Sequence, residues 1–281
     1  MNIESAINNA VELLSLNEIK NPRLDSEILM SKVIKKNKKY ILLNANKELT
    51  KKNQFYFNDL IDQRSKGKPI AYIIEKKEFW NYEFHISENV LIPRPDTELI
   101  IEQVLKITKN KSKLSILDIG VGSGCILLSI LKEKKNFNGV GVDISKKCLD
   151  ICQINSHKLD LKKRVKFFKS DIDKFNYGKY DLIISNPPYI NKLDLKYLEK
   201  DIINFEPKLA LDGGLEGLSE IRKVIKKSSE LIKKNGKFIL EIGFDQKNKV
   251  INLLKKEGFY INSTLKDLAK NDRCIVSTKY K

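Results

Sequence analysis

Ser115-Ile116-Leu117-Asp118-Ile119-Gly120-Val121-Gly122-Ser123-Gly124 runs directly into Cys125 and then Ile126-Leu127-Leu128-Ser129-Ile130-Leu131. A short apolar run, three glycines at alternate positions and a longer apolar run read as strand, turn and helix. Glycine in such a turn lets the main chain approach a ligand closely at the helix amino terminus. Alone the pattern is of moderate weight, because Gly-x-Gly turns also join strands to helices for packing reasons. The next apolar run, Asn138-Gly139-Val140-Gly141-Val142, ends at Asp143, nineteen positions after Gly124. An acidic residue at that spacing, at the end of a second strand, is placed to accept hydrogen bonds from ribose hydroxyls. Together the two signals predict a nucleoside-cofactor site on an α/β sheet. A nicotinamide fingerprint would put glycine or alanine at position 125, and Cys125 there points to a different nucleoside ligand.

A second informative stretch lies downstream, where the buried-strand pattern Tyr180-Asp181-Leu182-Ile183-Ile184-Ser185 ends in Asn186-Pro187-Pro188-Tyr189. Open α/β sheets place their ligand crevice at the carboxyl ends of their strands. Neither proline has a backbone N–H, and Pro188 holds Pro187 extended, so the Pro187 carbonyl is presented without a donor beside it. The Asn186 side-chain oxygen is a second acceptor. Two acceptors and the flat ring of Tyr189 suit a planar group bearing an NH2. A proline-stopped strand with a turn is the plain structural alternative, and it would suffice for Pro-Pro alone.

The α/β alternation continues around these landmarks. A helix over residues 146–159 leads to strand Val165-Lys166-Phe167-Phe168 and to Asp171, which could approach an adenine amino group or be an ordinary loop aspartate. The connection over residues 190–217, containing Phe205-Glu206-Pro207 and Asp212-Gly213-Gly214, is long enough to predict a lid. A helix with Ile221, Val224, Ile225, Leu231 and Ile232, a strand over residues 237–242, a helix over 248–256 and strands near Tyr260 and Ile275 close the chain.

The amino-terminal part reads differently. Ser5 is a candidate cap for a helix bearing Ile7, Val11 and Leu14; Pro22 opens a second; Thr50 is a candidate cap for a third that closes at Gly67. Lys35-Lys36-Asn37-Lys38-Lys39 is expected to be a solvated helix end and loop. Short β-like runs over residues 79–86 and 90–92 predict a hairpin turning at Ser87-Glu88-Asn89, and Asp96 or Thr97 is a candidate cap for the next helix. The expected division is a helical domain at 1–78, a linking hairpin at 79–92 and a cofactor-binding domain at 93–281.

With 281 residues the chain is long enough for one large and one small domain. A net charge of +17 favours an anionic partner, but lysines spread through most helices beside abundant Asn and Ile also fit a coding bias. Cys125, Cys148, Cys152 and Cys274 are too scattered for a disulfide framework, and with only His85 and His157 no zinc pattern is completed, so no metal is expected. The amino terminus lacks a basic-then-apolar leader and no apolar run is long enough for a membrane span, which predicts a cytoplasmic protein with no membrane partner.

The turn at Gly120–Gly124, Asp143 and Asn186-Pro187-Pro188-Tyr189 together resemble the class I S-adenosylmethionine-dependent methyltransferases of amino groups. Pro22-Arg23-Leu24-Asp25, Phe79-Trp80, Pro93-Arg94-Pro95-Asp96-Thr97-Glu98, Phe205-Glu206-Pro207 and Glu241-Ile242-Gly243 narrow the resemblance, over nearly the whole chain, to the bacterial peptide chain release factor N5-glutamine methyltransferases. The resemblance implies a Rossmann-like α/β sheet of seven strands with a small helical amino-terminal domain, S-adenosyl-L-methionine as cofactor, and class-one release factors as protein substrates, methylated at the glutamine of their Gly-Gly-Gln motif. It implies that Gly120, Val121, Gly122, Ser123, Gly124, Asp143, Ile172 and Asn186 contact the cofactor. It further implies that Asn186, Pro187, Pro188 and Tyr189 hold the substrate, with Asn186, Pro187 and Tyr189 at the reacting group. The chain departs from the family at Ile172, where Trp often follows the acidic residue, and at Lys270, where glycine is common. An adenine N6-methyltransferase of DNA or RNA is the main alternative, favoured by the charge and opposed by the Pro93–Glu98 stretch and by the lack of a recognition domain. A glutamine methyltransferase of a ribosomal protein would need the same pocket. A binding protein that had kept only the fold would be expected to have lost Asn186 or the glycine turn.

Overall fold

The computed structural model describes residues 1–280, which divide into two compact units. The first comprises residues 1–76 and a return of the chain at 199–205. Its helices are α1 (Ile3–Leu16), α2 (Pro22–Ile34), α3 (Lys38–Leu43), α4 (Lys51–Ser65) and α5 (Ile70–Ile74). Ile7, Leu14, Leu29, Met30 and Phe57 form its core, each at most 1% exposed. Thr50 caps α4 as expected, accepting the Asn53 N–H at 3.2 Å. The cap of α1 is Asn2 rather than Ser5: Asn2 has the extended backbone a cap requires and accepts the Ser5 N–H at 2.8 Å. The lysine-rich stretch is also more ordered than expected, because Asn37 accepts the Tyr40 N–H and starts α3.

The segment returned to this unit carries α9 (Lys200–Phe205). Arg64, 8% exposed, bonds Asp25 at 2.7 Å and Asp201 of α9 at 3.2 Å. The predicted lid is therefore not free: its middle is fastened to the helical unit through a buried arginine.

The second unit covers residues 77–198 and 206–280. It opens with the hairpin of β1 (Lys76–Phe79) and β2 (Tyr82–His85). The expected hairpin over residues 79–92 is displaced, because Trp80 takes a left-handed backbone (φ 56°) and reverses the chain where the sequence pattern predicts an unbroken strand. Phe79 and Phe84 then meet edge to face at 6.3 Å in the core.

The main body is built from α6 (Glu98–Ile107), β3 (Ser115–Ile119), α7 (Cys125–Glu133), β4 (Asn138–Asp143), α8 (Lys146–Lys158), β5 (Val165–Lys169) and β6 (Tyr180–Ser185). It continues through α10 (Ser219–Leu231), β7 (Ile232–Glu241), α11 (Lys247–Lys256), β8 (Phe259–Lys266) and β9 (Asp272–Lys279). The seven-stranded sheet has the order β5-β4-β3-β6-β7-β9-β8, parallel except where β9 pairs antiparallel with β7 and β8. Both faces are covered, Leu127 and Leu128 of α7 on one and Ile221 and Ile225 of α10 on the other, so the central strands are apolar throughout. Strand order reverses between β3 and β6, which makes their carboxyl ends the switch-point crevice of the sheet. Ile119 is level with Ser185 across that pair, so Gly120 and Asn186 leave the sheet side by side.

Candidate active site

Gly120 and Gly124 serve the turn after β3 in different ways. Both have left-handed backbones, with φ of 74° and 82°. A Cβ on Gly120 would meet nothing within 4 Å, whereas one on Gly124 would strike Leu128 at 2.9 Å. Gly124 is therefore needed for packing of α7, while Gly120 borders open space where a ligand can reach the backbone. Val121 and Ser123, between the glycines, are buried, and Gly122 donates its N–H to Asp143 Oδ2 at 3.0 Å. The other Asp143 oxygen accepts the Ser145 N–H at 2.8 Å. Each carboxylate oxygen keeps a lone pair for a further donor, which is what a ribose diol presents. Burial raises the Asp143 pKa, and those backbone donors hold it down in part.

Beneath the turn, Asp118 is 1% exposed and neither of its oxygens has a hydrogen-bond partner among the described residues. Burial, reinforced by the Asp143 charge, pushes its pKa up to about 8. A buried carboxyl without donors next to an open glycine turn is suited to a cationic ligand, and the sulfonium and ammonium groups of S-adenosylmethionine are cations. The residues of this turn thus fit that cofactor. Ile172, 9% exposed, begins a short 3-10 turn after β5. Asp171 caps that turn by accepting the Asp173 N–H at 3.1 Å, the ordinary loop role.

The Asn-Pro-Pro-Tyr turn is held from several sides. Asn186 Nδ2 donates to Thr97 Oγ1 at 3.2 Å, which leaves Asn186 Oδ1 free of that bond and available as an acceptor. Pro187 is buried, and Pro188 and Tyr189 are partly exposed. The Tyr189 hydroxyl donates to Glu241 Oε1 at 3.2 Å, with Arg273 Nη1 at 3.4 Å. Burial and the Glu241 charge raise the Tyr189 pKa, so the phenol stays protonated. Gln246 Nε2 binds the Tyr189 carbonyl at 2.9 Å and the Gly217 carbonyl at 3.0 Å, fixing the backbone where the long connection begins and ends.

Sequence reasoning alone does not bring Thr97, Glu241, Arg273 and Gln246 to the site. Thr97, a candidate cap for α6, makes no capping bond; it is 3% exposed and accepts from Asn186. Only the family motifs containing Thr97 and Glu241 carry any signal for them. Lys270 has φ of 65°, a left-handed conformation that glycine adopts without strain.

The strand order, the glycine turn after β3 and the acidic end of β4 define a class I methyltransferase. Over 280 residues the chain is 41% identical to a release factor glutamine methyltransferase of Buchnera aphidicola subsp. Acyrthosiphon pisum, covering 100% of this chain and 99% of that one. It is 38% identical to a release factor glutamine methyltransferase of Clostridium acetobutylicum, covering 91% and 90% of the two chains. It belongs to the release factor glutamine methyltransferase family. Residues 5–74 match the PrmC N-terminal domain and residues 95–216 the methyltransferase small domain. A methyltransferase from Pyrococcus furiosus shares the fold with a TM-score of 0.55 at 17% identity, over 80% of this chain and 100% of that one.

Proposed function

We propose that this chain transfers a methyl group from S-adenosylmethionine to the side-chain amide nitrogen (N5) of the glutamine in the Gly-Gly-Gln motif of class-one peptide chain release factors. Membership of the family supports the reaction. The observation that carries the site assignment is the orientation of Asn186: with Nδ2 bound to Thr97, its oxygen remains as an acceptor beside the donor-free Pro187 carbonyl.

Gly120, Val121, Gly122, Ser123 and Gly124 would line the cofactor with their backbone, Asp143 would take its ribose hydroxyls, and Ile172 would pack on its adenine. The bound cofactor supplies a methyl activated by a sulfonium. An amide nitrogen is a poor nucleophile because its lone pair is delocalised into the carbonyl. Accepting both N–H bonds, at Asn186 Oδ1 and the Pro187 carbonyl, orients the nitrogen and favours a pyramidal geometry that localises the pair. Tyr189 would pack on the amide plane, with Pro188 shaping the same wall. Catalysis here is positioning and electrostatics, and the strongly acidic N-methylated amide cation loses its proton to water.

A Gly-Gly-Gln loop has no side chains before its glutamine, so it can enter a narrow crevice but offers little area for binding. The helical unit of residues 1–76 is the surface on which we place the docking of a remote part of the factor, with no role for a nucleic-acid substrate. No helix among the described residues is long and apolar enough to cross a membrane, and the cytoplasm, where release factors work, is the proposed compartment. Transfer from labelled cofactor to purified release factor tests this reading. Label should enter the intact factor, not its Gly-Gly-Gln to Gly-Gly-Ala variant, and far more efficiently than a peptide bearing the three residues. Label in adenine of DNA or RNA but not in the factor would overturn the substrate, and equal labelling of peptide and factor would overturn the docking.

A further inference from the structure

Gln246, the residue before α11, is 5% exposed, and backbone groups take up its whole side-chain amide. Its Oε1 accepts the Gly243 N–H at 2.9 Å, while its Nε2 donates to the Tyr189 carbonyl at 2.9 Å and to the Gly217 carbonyl at 3.0 Å. The first bond fixes which end of the amide points which way, and both NH2 hydrogens then go to the two carbonyls. Gly217 shows how closely these chains approach. Its φ is 68°, and a Cβ there would lie 2.4 Å from the Tyr189 carbonyl oxygen and 2.7 Å from Gln246 Nε2.

The two ends of the 190–217 connection also pair with each other. Ile190 donates its N–H to the Leu211 carbonyl at 3.1 Å, Gly213 donates to the Ile190 carbonyl at 2.8 Å, and Lys192 donates to the Gly214 carbonyl at 2.9 Å. The connection therefore has a closed base, and Gln246 sits where its two ends meet.

We propose that Gln246 is a positioning residue for methyl transfer: by holding the Tyr189 carbonyl it fixes the ring that packs on the substrate amide, and by holding Gly217 with the same NH2 it keeps the base of the connection shut beside that ring. This rests on the substrate reading above and adds to it the group that holds the substrate wall in place. Tyr189 is then fixed at both ends, its main chain by Gln246 and its hydroxyl by Glu241 at 3.2 Å and Arg273 at 3.4 Å. A ring tied only at its hydroxyl could swing with its backbone. Asn186 and Pro187 reach Tyr189 through Pro188, whose locked φ passes the constraint back to their acceptors. Geometry held in advance need not be gathered at each turnover, which lowers the barrier. Motion of the connection during substrate entry is confined between Lys192 and Leu211, outside the paired base.

The test compares kcat with cofactor affinity. Gln246→Glu keeps the length of the side chain and the bond from Gly243 but turns an ionised oxygen toward two carbonyl oxygens. It should lower kcat about tenfold or more at saturating substrate and cofactor, with the cofactor Kd unchanged. Gly217→Ala, which displaces the Tyr189 carbonyl by a different route, should reproduce that split. A glutamine that only stabilises the fold would lower the melting temperature and leave kcat per folded molecule as in wild type. That result in Gln246→Glu overturns the proposal, as does a cofactor affinity that falls as far as kcat. Should neither variant fold, hydrogen exchange in the free wild-type protein decides the matter. The Gln246 side-chain NH2 and the Ile190 and Gly213 amides should be protected to a similar degree, as one closed base. Exchange of the Gln246 NH2 at the rate of an exposed glutamine overturns the clamp. That measurement needs no substrate, so failure of wild-type enzyme to methylate any release factor would sink the substrate reading alone.

Discussion

The Arg94 guanidinium is ion-paired with Glu206, 112 residues further along the chain. Glu206 is 5% exposed and also accepts the Ile92 N–H at 3.2 Å. It is the first residue of the long connection after the chain returns from the helical unit, and Arg94 lies three positions before Thr97. The pair therefore fastens the middle of that connection to the segment whose threonine binds Asn186. This gives a physical reason for Pro-Arg-Pro-Asp-Thr-Glu and Phe-Glu-Pro to occur in one chain.

Glu206→Ala should accordingly lower stability by about 1–3 kcal/mol, since it leaves the Ile92 N–H and a partly buried arginine without their acceptor. It should also lower kcat through Thr97. Denaturant unfolding beside steady-state assays separates the two effects, and a variant with normal turnover would show that Thr97 is held without this pair.

Asn186→Ala should retain cofactor affinity while lowering methylation on the order of 10²-fold or more, the usual cost of deleting a preorganised polar contact at a reacting group. Near-normal turnover would remove the acceptor from the mechanism.

Asp143→Ala should weaken cofactor binding by about 1–3 kcal/mol, because the ribose hydroxyls lose their acceptor and the Gly122 and Ser145 N–H groups lose theirs. Unchanged affinity by calorimetry would assign the ribose to other groups.

The cofactor-free protein should lose stability as pH rises. Asp118 and Glu241 have folded-state pKa values of about 8 and about 7, both above their unfolded values of 3.8 and 4.5. Between those limits the folded state binds more protons than the unfolded, so the stability these groups contribute is complete below about pH 4 and is lost as pH climbs through 7 and 8. Asp118→Asn should flatten the alkaline part of that fall. Thermal melts across the range check it, and a melting temperature that rises from pH 5 to 8 in both proteins would contradict it.

Much of this architecture is legible in the sequence because its signals are local. Apolar strand runs, alternate glycines and an aspartate nineteen positions on specify a strand–turn–helix unit and its ribose partner without reference to distant residues. Thr50 is readable as a cap for the same reason, since a cap bonds a backbone group three residues away. Asn2 escapes the same reading although it too is local, because Asn and Ser are both good caps and only the backbone angles separate them.

What the sequence by itself determined, then, is the α/β alternation, the glycine turn and the acceptor character of Asn186 and Pro187, which follow from residue type and spacing. Tertiary structure alone decided which way the Asn186 amide points, because its partner Thr97 lies 89 residues away. It also decided that Trp80 turns the hairpin and that α9 joins the helical unit through Arg64. In each case the contact that decides it is with a residue remote in sequence, Thr97 for Asn186, Glu98 for the Trp80 N–H (2.7 Å) and Arg64 for α9, and such partly desolvated polar groups accept few arrangements.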